Sequence, residues 1–244
     1  MFIPLFDIDE EYGYQTRKIS ELFTPVMTTI ILICVLVFIY QTFLEEDINK
    51  FYQQWGTTAY KILNANQIGL PAYLSLITYA FVHGGFWHIL GNLWFLFIFG
   101  NNVERKMGIF VFLVFYLSAA VVAALVHTII NFPNEFLYGK ASNLAKLQEL
   151  HIPLVGASGA ISAVLGAYLK YFPRNYVATL VLFIIISVIP VSASIFIGVW
   201  LLGQIINALL SPQSSIAWFA HIGGFLYGYL FASIYKGKTR NYYY

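Results

Sequence analysis

A serine and three other polar residues lie in apolar stretches of the chain with types and spacings that suit acyl transfer. Ser158 stands in Gly156-Ala157-Ser158-Gly159, His221 follows Ala220, and His88 and Asn92 lie four residues apart. A serine hydroxyl becomes a strong nucleophile when a base such as histidine takes its proton. The tetrahedral intermediate then needs hydrogen-bond donors aimed at its oxyanion. Two residues four apart on a helix share a face, so His88 and Asn92 could both donate there.

Glycines close to Ser158 and His221 predict that their two segments pack against each other. Gly156 and Gly159 flank the serine, and Gly224 and Gly228 follow the histidine. Small residues at this spacing let helices approach closely. A serine at a helix N-terminus would also have free N–H groups and the positive end of the helix dipole beside it.

Composition places these residues in a membrane. Of 244 residues, 59% are hydrophobic and 10% charged, with a mean hydropathy of +0.73, whereas a soluble domain carries about a quarter charged residues. The net charge of +2 without a basic run argues against nucleic acid as a partner. The single cysteine, Cys34, excludes an intrachain disulfide or a thiolate cluster. Acidic residues precede the first apolar run, so we expect that run to remain as a span and not to be a signal peptide.

Six apolar segments are candidates for transmembrane helices, which need about 20 residues each. Pro190 divides the long stretch 177–210, and we expect Val177–Ile189 to be a connection that partly enters the membrane. No predicted span contains Asp or Glu, so Ser158 and His221 are expected to act as a dyad without a buried acid. The predicted spans are Phe23–Phe43, Leu74–Phe99, Ile109–Ile130, Leu154–Tyr171, Val191–Leu210 and Ile216–Tyr235.

Basic residues indicate the orientation of the six spans. They precede span one, lie between spans two and three and between spans four and five, and follow span six, and six crossings put all of these positions on one side. By the positive-inside rule both termini are cytoplasmic. Ser158, His221, His88 and Asn92 then share the outer leaflet. The sequence thus predicts an all-α, six-transmembrane-helix bundle over residues 23–235, after a short polar cytoplasmic segment (1–22) and before a basic cytoplasmic tail (236–244). The basic residues are Arg17, Lys18, Arg105, Lys106, Lys170, Arg174, Lys236, Lys238 and Arg240.

Three motifs on the second, fourth and sixth spans resemble those of the rhomboid family of intramembrane serine proteases. The first runs from His83 to Asn92 and ends in H-x-x-x-N; the second is the G-x-S-G around Ser158; the third is A-H-x-x-G-x-x-x-G from Ala220 to Gly228. Each motif alone is weak, because G-x-S-G in an apolar helix is usually ordinary helix packing. All three in this order are specific, and the resemblance extends over about residues 23–235.

The resemblance implies a rhomboid-like bundle that cleaves single-span or multi-span membrane protein substrates near the outer boundary of the bilayer, without metal or cofactor. Ser158 would be the nucleophile and His221 the general base. The oxyanion hole would come from Asn92, His88 and the backbone N–H groups of Ser158 and Ala157. Gly156, Gly159, Gly224 and His83 would support the site.

Position 162 departs from the family, some members of which place a tyrosine there that stacks on the catalytic histidine. Here the residue is Ser162, so another residue must orient His221. Gln204 and Asn207 in the fifth span are expected to hold helices together. The long loop 131–153 could shape substrate access or be a tolerated insertion.

Two other classes of function compete with a protease. A catalytically inactive, client-binding relative would usually lack the serine or the histidine, and both are present. A transporter or channel would place acidic residues or paired broken helices at mid-membrane, and the predicted spans have no Asp or Glu. The absence of a targeting segment predicts a prokaryotic plasma membrane.

Overall fold

The computed structural model describes residues 2–8, 23–139, 143–182, 186–211 and 216–237. This part of the chain is mostly helical, with one small sheet. The predicted polar segment and basic tail fall largely outside the described residues, as do Arg17, Lys18, Lys238 and Arg240.

Each predicted span contains one long helix, and shorter helices lie in the connections. Two 3-10 turns, Glu45–Asp47 and Tyr79–Phe81, join neighbouring helices. The α-helices are α1 (Pro25–Gln41), α2 (Ile48–Trp55), α3 (Ala59–Leu63), α4 (Ala65–Ile68), α5 (Leu70–Thr78), α6 (Phe86–Met107), α7 (Ile109–Asn131), α8 (Pro133–Tyr138), α9 (Leu144–Glu149), α10 (Ser158–Tyr171), α11 (Ala193–Leu210) and α12 (Trp218–Ile234).

By length and apolarity, two to four spans can be assigned among the described residues. Helices α7 and α11 each qualify alone, with mean hydropathies of 2.8 and 1.9. Two bent pairs qualify when each is taken as one span: Pro25–Gln41 with Glu45–Trp55, bent by 120°, and Leu70–Phe81 with Phe86–Met107, bent by 83°. The chain is therefore a membrane-embedded, mostly helical protein.

The second predicted span, Leu74–Phe99, was wrong as one continuous helix. Residues 82–85 interrupt it, and α6 then continues to Met107, beyond the predicted end at Phe99. The Gly84-Gly85 pair favours the break because glycine is a poor helix former. Glu104 can lie inside α6 because its carboxylate accepts the backbone N–H groups of Val26 and Met27, at 2.9 and 2.8 Å, at the start of α1.

The prediction of an all-α fold was wrong at one place, where an antiparallel sheet of order β1-β2-β3 forms. Strands β2 (Tyr176–Leu182) and β3 (Ile186–Ser192) make a hairpin within the stretch that was expected to enter the membrane. Their β-branched residues favour strands, and the strands satisfy one another's backbone groups. Strand β1 (Phe2–Ile8), in the segment predicted only as polar, pairs with β2. The indole Nε1 of Trp94 on α6 donates to the carbonyl oxygen of Pro4 at 2.6 Å and holds β1 against that helix.

Helix α10 lies at the centre of the fold. Every residue from Gly159 to Tyr168 is buried, and the helix packs against α6, α7 and above all α12. The core around it is aromatic and aliphatic, with Phe99, Tyr116 and Leu165 almost fully enclosed. A buried helix of this kind holds its first residue, Ser158, in a fixed place relative to its neighbours.

Lys61 anchors the connection between α1 and α5. Its Nζ donates to the carbonyl oxygens of Gln53, Gln54 and Gly56 at 2.5, 3.1 and 2.8 Å. These contacts tie α3 to the end of α2, next to the segment that leads into α10.

Candidate active site

Ser158 is the first residue of α10, and the extended segment before it is fixed by backbone pairing. Leu154 and Thr57 exchange N–H···O bonds of 2.7 and 3.1 Å, and the Gly156 N–H donates to the carbonyl oxygen of Tyr79 at 2.9 Å. Gly156 has φ +117°, a conformation that L side chains rarely adopt. The helix therefore begins at Ser158, later than the predicted start at Leu154, and its first N–H groups have no carbonyl partner within the helix.

His221 lies in the first turn of α12, directly opposite Ser158. Its Nε2 is 2.7 Å from the Ser158 Oγ, a normal length for a hydrogen bond involving a hydroxyl. Both side chains are partly buried. The structure thus joins the two residues that the sequence proposed as nucleophile and base, although they are 63 residues apart.

Close packing of α10 on α12 brings these side chains together, as the glycine spacing predicted. A methyl group added at Gly224 would lie 3.0 Å from the Gly159 carbonyl carbon and closer still to its oxygen. One added at Gly228 would overlap the carbonyl group of Ala163. The two backbones touch at these points, so any larger residue would force the helices apart.

His88 and Asn92 stand on one face of α6 beside Gly156, as predicted from their spacing. A methyl group at Gly156 would lie 2.7 Å from the His88 Nε2 and 3.8 Å from the Asn92 Nδ2. The Gly84 N–H donates to the His88 Nδ1 over 3.4 Å, which leaves the proton of a neutral ring on Nε2. The Asn92 Nδ2 donates to the His88 carbonyl oxygen at 2.9 Å and keeps a second N–H. Each side chain thus has a donor on the side of Gly156 and Ser158.

His83 is fully buried behind His88. The two rings meet edge to face with centroids 5.3 Å apart. The Gln41 side chain holds the backbone of His83 through two hydrogen bonds, one to its carbonyl oxygen at 2.7 Å and one from its N–H at 3.2 Å. His83 therefore supports the His88 ring by packing against it. Among the described residues it forms no hydrogen bond with Ser158.

Ser158, His221, His88 and Asn92 all line one cavity of about 760 Å³. Residues of α6, α10, α11 and α12 line it, with Ser158 on α10 and His221 on α12. The lining combines apolar side chains with a few convergent polar groups, which is typical of a binding site. Within the described ranges, no group of three or more His, Cys, Asp or Glu residues could hold a metal ion. The lining includes Trp87, His88, Asn92, Ser158, Trp200 and His221.

Sequence reasoning missed one contact of His221. Gln204 on α11 was expected to hold helices together, and it does join α11 to α12, but through an Oε1 that lies 2.7 Å from the His221 Nδ1. The same expectation was wrong for Asn207, which is exposed and donates to the carbonyl oxygen of Gly203 on its own helix. The sequence around Gln204 does not reveal this contact, because it does not give the relative rotation of α11 and α12.

Comparison with known proteins identifies relatives. The family model described as the rhomboid domain matches residues 71–238. The chain is 31% identical over 167 residues to "RHOMBOID-like protein 12, mitochondrial" of Arabidopsis thaliana, covering 68% of this chain and 48% of the relative. It is 29% identical over 163 residues to "Rhomboid protein 1, mitochondrial" of Saccharomyces cerevisiae, covering 65% and 40%. The chain thus spans half or less of the length of these two relatives.

Proposed function

The chain belongs to the rhomboid family, and from that premise we propose that it is an intramembrane serine endopeptidase in which Ser158 and His221 form the catalytic dyad. Family membership suggests a serine protease that acts within the membrane. The observation that carries the proposal is the 2.7 Å contact between the Ser158 Oγ and the His221 Nε2 inside a polar-lined cavity.

The dyad geometry supports a two-step acyl transfer. His221 Nε2 takes the hydroxyl proton as the Ser158 Oγ attacks the carbonyl carbon of the scissile peptide bond. The imidazolium then gives that proton to the leaving amine, and the C–N bond breaks to leave an acyl enzyme. A water entering from the cavity then attacks the acyl carbon while losing a proton to Nε2. The ester bond to the Ser158 Oγ breaks, Oγ takes that proton back from Nε2, and the acid product leaves.

Three sets of donors support an oxyanion hole beside the serine. The Nε2–H of His88 and the free N–H of the Asn92 amide come from α6. The backbone N–H groups of Ser158 and Ala157 come from the start of α10, where the helix dipole adds positive potential. Donors fixed in advance by folding stabilise the developing charge without reorganisation, and removing one such donor typically lowers kcat about 100- to 1,000-fold.

The proposed topology has six spans, formed by α1, α6, α7, α10, α11 and α12, with both termini cytoplasmic. The hydropathy of α7 and α11 and the two bent pairs support part of this count. Arg105 and Lys106 at the end of α6, with Lys170 in the last turn of α10 and Arg174 beyond it, would face the cytoplasm. Ser158, at the opposite end of α10 from Lys170, would then lie towards the outer face.

We propose membrane-spanning proteins as substrates, cut near the outer boundary of the bilayer. The cavity lies between α6 and α11, and exposed apolar residues occur in the first part of α6 and along α11, so a segment arriving through lipid could reach Ser158. The membrane itself is proposed from the sequence to be a prokaryotic plasma membrane. The names of the two relatives above include the word mitochondrial. Locating the protein in cells distinguishes a plasma membrane from a mitochondrial one.

Cleavage of a single-span model substrate in liposomes by the purified protein tests the proposal. Ser158→Ala and His221→Ala should each abolish cleavage. Ser233→Ala should cleave like the wild type, because Ser233 is an exposed serine on α12 that bonds only to the Tyr229 carbonyl oxygen of its own helix. Equal cleavage by wild type and Ser158→Ala would contradict the dyad. Binding of the substrate by folded wild type without any cleavage would instead support a client-binding protein.

A further inference from the structure

His221 has a second polar partner besides Ser158, the side chain of Gln204. Its Oε1 is 2.7 Å from the His221 Nδ1. Its Nε2 donates to the Trp200 carbonyl oxygen, 3.3 Å away on the same helix. A carbonyl oxygen can only accept, so the NH₂ end of the amide must face Trp200 and the oxygen must face the imidazole.

This orientation of the amide selects one tautomer of His221. An amide oxygen only accepts, so the Nδ1 of the ring must carry a proton to form the 2.7 Å bond. A neutral imidazole has one N–H, so Nε2 is then left unprotonated and accepts the Ser158 hydroxyl proton. The opposite tautomer would place an N–H against the serine and could not act as its base.

We propose that Gln204 is the positioning residue of the dyad, holding His221 in the tautomer and orientation that activate Ser158. The inference rests on the proposed function, since it assigns the group that prepares its general base. It also answers the departure at position 162, where Ser162 has no ring that could stack on the histidine. The Ser162 hydroxyl instead donates to the carbonyl oxygen of Ser158.

Because Gln204 lies on α11, which lines the cavity, the orientation of the His221 ring depends on the position of α11. Trp200, one turn earlier on α11, packs near the same imidazole with ring centroids 6.3 Å apart. At the first turn of α11, Phe196 packs on Phe95 and Phe99 of α6 with centroids 6.3 and 6.2 Å apart. Gln204 is eight residues beyond that contact, about 12 Å along the helix. A tilt of α11 about its Phe196 end therefore withdraws Gln204 from His221 and leaves the base unoriented.

Three variants of α11 separate this role from a general effect on folding. Gln204→Met keeps the length of the side chain and removes the acceptor. Gln204→Glu keeps an acceptor and adds a charge that stabilises the imidazolium. Asn207→Leu is the matched control, because it removes an amide from the same helix that does not touch His221.

For Gln204→Met we expect kcat to fall by about 10-fold or more, because the variant loses the hydrogen bond to His221. KM should change less than about twofold. Gln204→Glu should retain much of the wild-type kcat, with the acid limb of its pH profile moved by about one unit to higher pH. Asn207→Leu should keep the wild-type kcat and pH profile. Unchanged kcat and pH profile in Gln204→Met would overturn the inference and leave the dyad intact.

A measurement without turnover keeps the inference separate from the proposed function. In protein labelled with ¹⁵N in histidine, the ring signals of His221 are identified as those missing from His221→Asn. The wild type should show a protonated Nδ1, and Gln204→Met should lose that preference. If Nδ1 is protonated to the same extent in the wild type and in Gln204→Met, the inference is overturned, even if the wild type cleaves no substrate. A protein that shows the tautomer shift but no Ser158-dependent cleavage would contradict the proposed function and retain the positioning role.

Discussion

Gly224→Ala tests whether catalysis depends on the close approach of α10 and α12. The added methyl group would lie 3.0 Å from the Gly159 carbonyl carbon and nearer to its oxygen, and 3.4 Å from the Ser162 Cβ. Backbone atoms cannot move aside as the end of a flexible side chain can. The two helices must therefore separate locally.

The size of the effect follows from these distances. Non-bonded carbon atoms prefer about 3.5–4.0 Å, so a contact of 3.0 Å with a closer oxygen requires a shift of about 1 Å. His221 lies three residues before Gly224 and Ser158 immediately precedes Gly159, so their 2.7 Å hydrogen bond would lengthen beyond the usual range. A misplacement of about 1 Å can lower the rate about 100-fold, and overpacking lowers the free energy of unfolding by about 1–3 kcal/mol.

The assay compares kcat and thermal denaturation in detergent for Gly224→Ala, the wild type and Gly198→Ala. Gly198 is a control from α11, since a methyl group there would meet nothing within 4 Å. It should keep the wild-type kcat and be as stable or slightly more stable, because alanine favours a helix more than glycine does. A Gly224→Ala protein with wild-type kcat and melting temperature would refute the argument that backbone contact between these helices aligns the dyad.

Two further predictions concern buried polar groups that hold the helices around the site. Glu104→Gln removes one carboxylate acceptor from the two N–H groups at the start of α1, 2.8 and 2.9 Å away, and should lower the free energy of unfolding by about 1–3 kcal/mol. Glu149→Gln, whose carboxylate forms an exposed ion pair, is the control and should change that free energy by less than about 0.5 kcal/mol. Equal melting temperatures for the two variants would contradict the role of Glu104 at the start of α1. Gln41→Leu removes the acceptor of the buried His83 N–H and the nearer of two side-chain donors to its carbonyl oxygen, the other being the Tyr52 hydroxyl at 3.4 Å. It should destabilise by about 2 kcal/mol and reduce cleavage by displacing the neighbouring His88. Cleavage and melting at wild-type levels would show that the segment is held in another way.

Much of the helical framework could be predicted from the sequence because its signal is long and apolar. The segments around Ile109–Ile130 and Ile216–Tyr235 contain helices within a few residues of the predicted bounds. The motifs around Ser158 and His221 predicted their proximity, because glycines on both helices allow only a close crossing. The break before Phe86 was missed because apolarity does not encode it: in the structure the Gly84 N–H donates to the His88 Nδ1 and the His83 backbone bonds to the Gln41 side chain.

The sheet and the Gln204 contact could not be predicted by the same reasoning. An apolar run such as Tyr176–Leu182 has no helical or alternating period that distinguishes a strand from a buried helix, and its partner Phe2–Ile8 lies more than 160 residues away in sequence. The contact of Gln204 with His221 depends on the relative rotation of α11 and α12. That rotation is set by packing across the cavity, so a polar residue in an apolar helix indicated only that it would find some partner.

The most direct test of the central claim is covalent labelling of the folded protein by a serine-reactive fluorophosphonate, located by mass spectrometry. A fluorophosphonate reacts with a serine hydroxyl that a base has activated, so we expect one adduct, on Ser158, that is lost in His221→Ala and kept in Ser233→Ala. Labelling of Ser158 that persists at the wild-type rate in His221→Ala, or an adduct at another serine with none on Ser158, would contradict the claim that these two residues form the catalytic dyad.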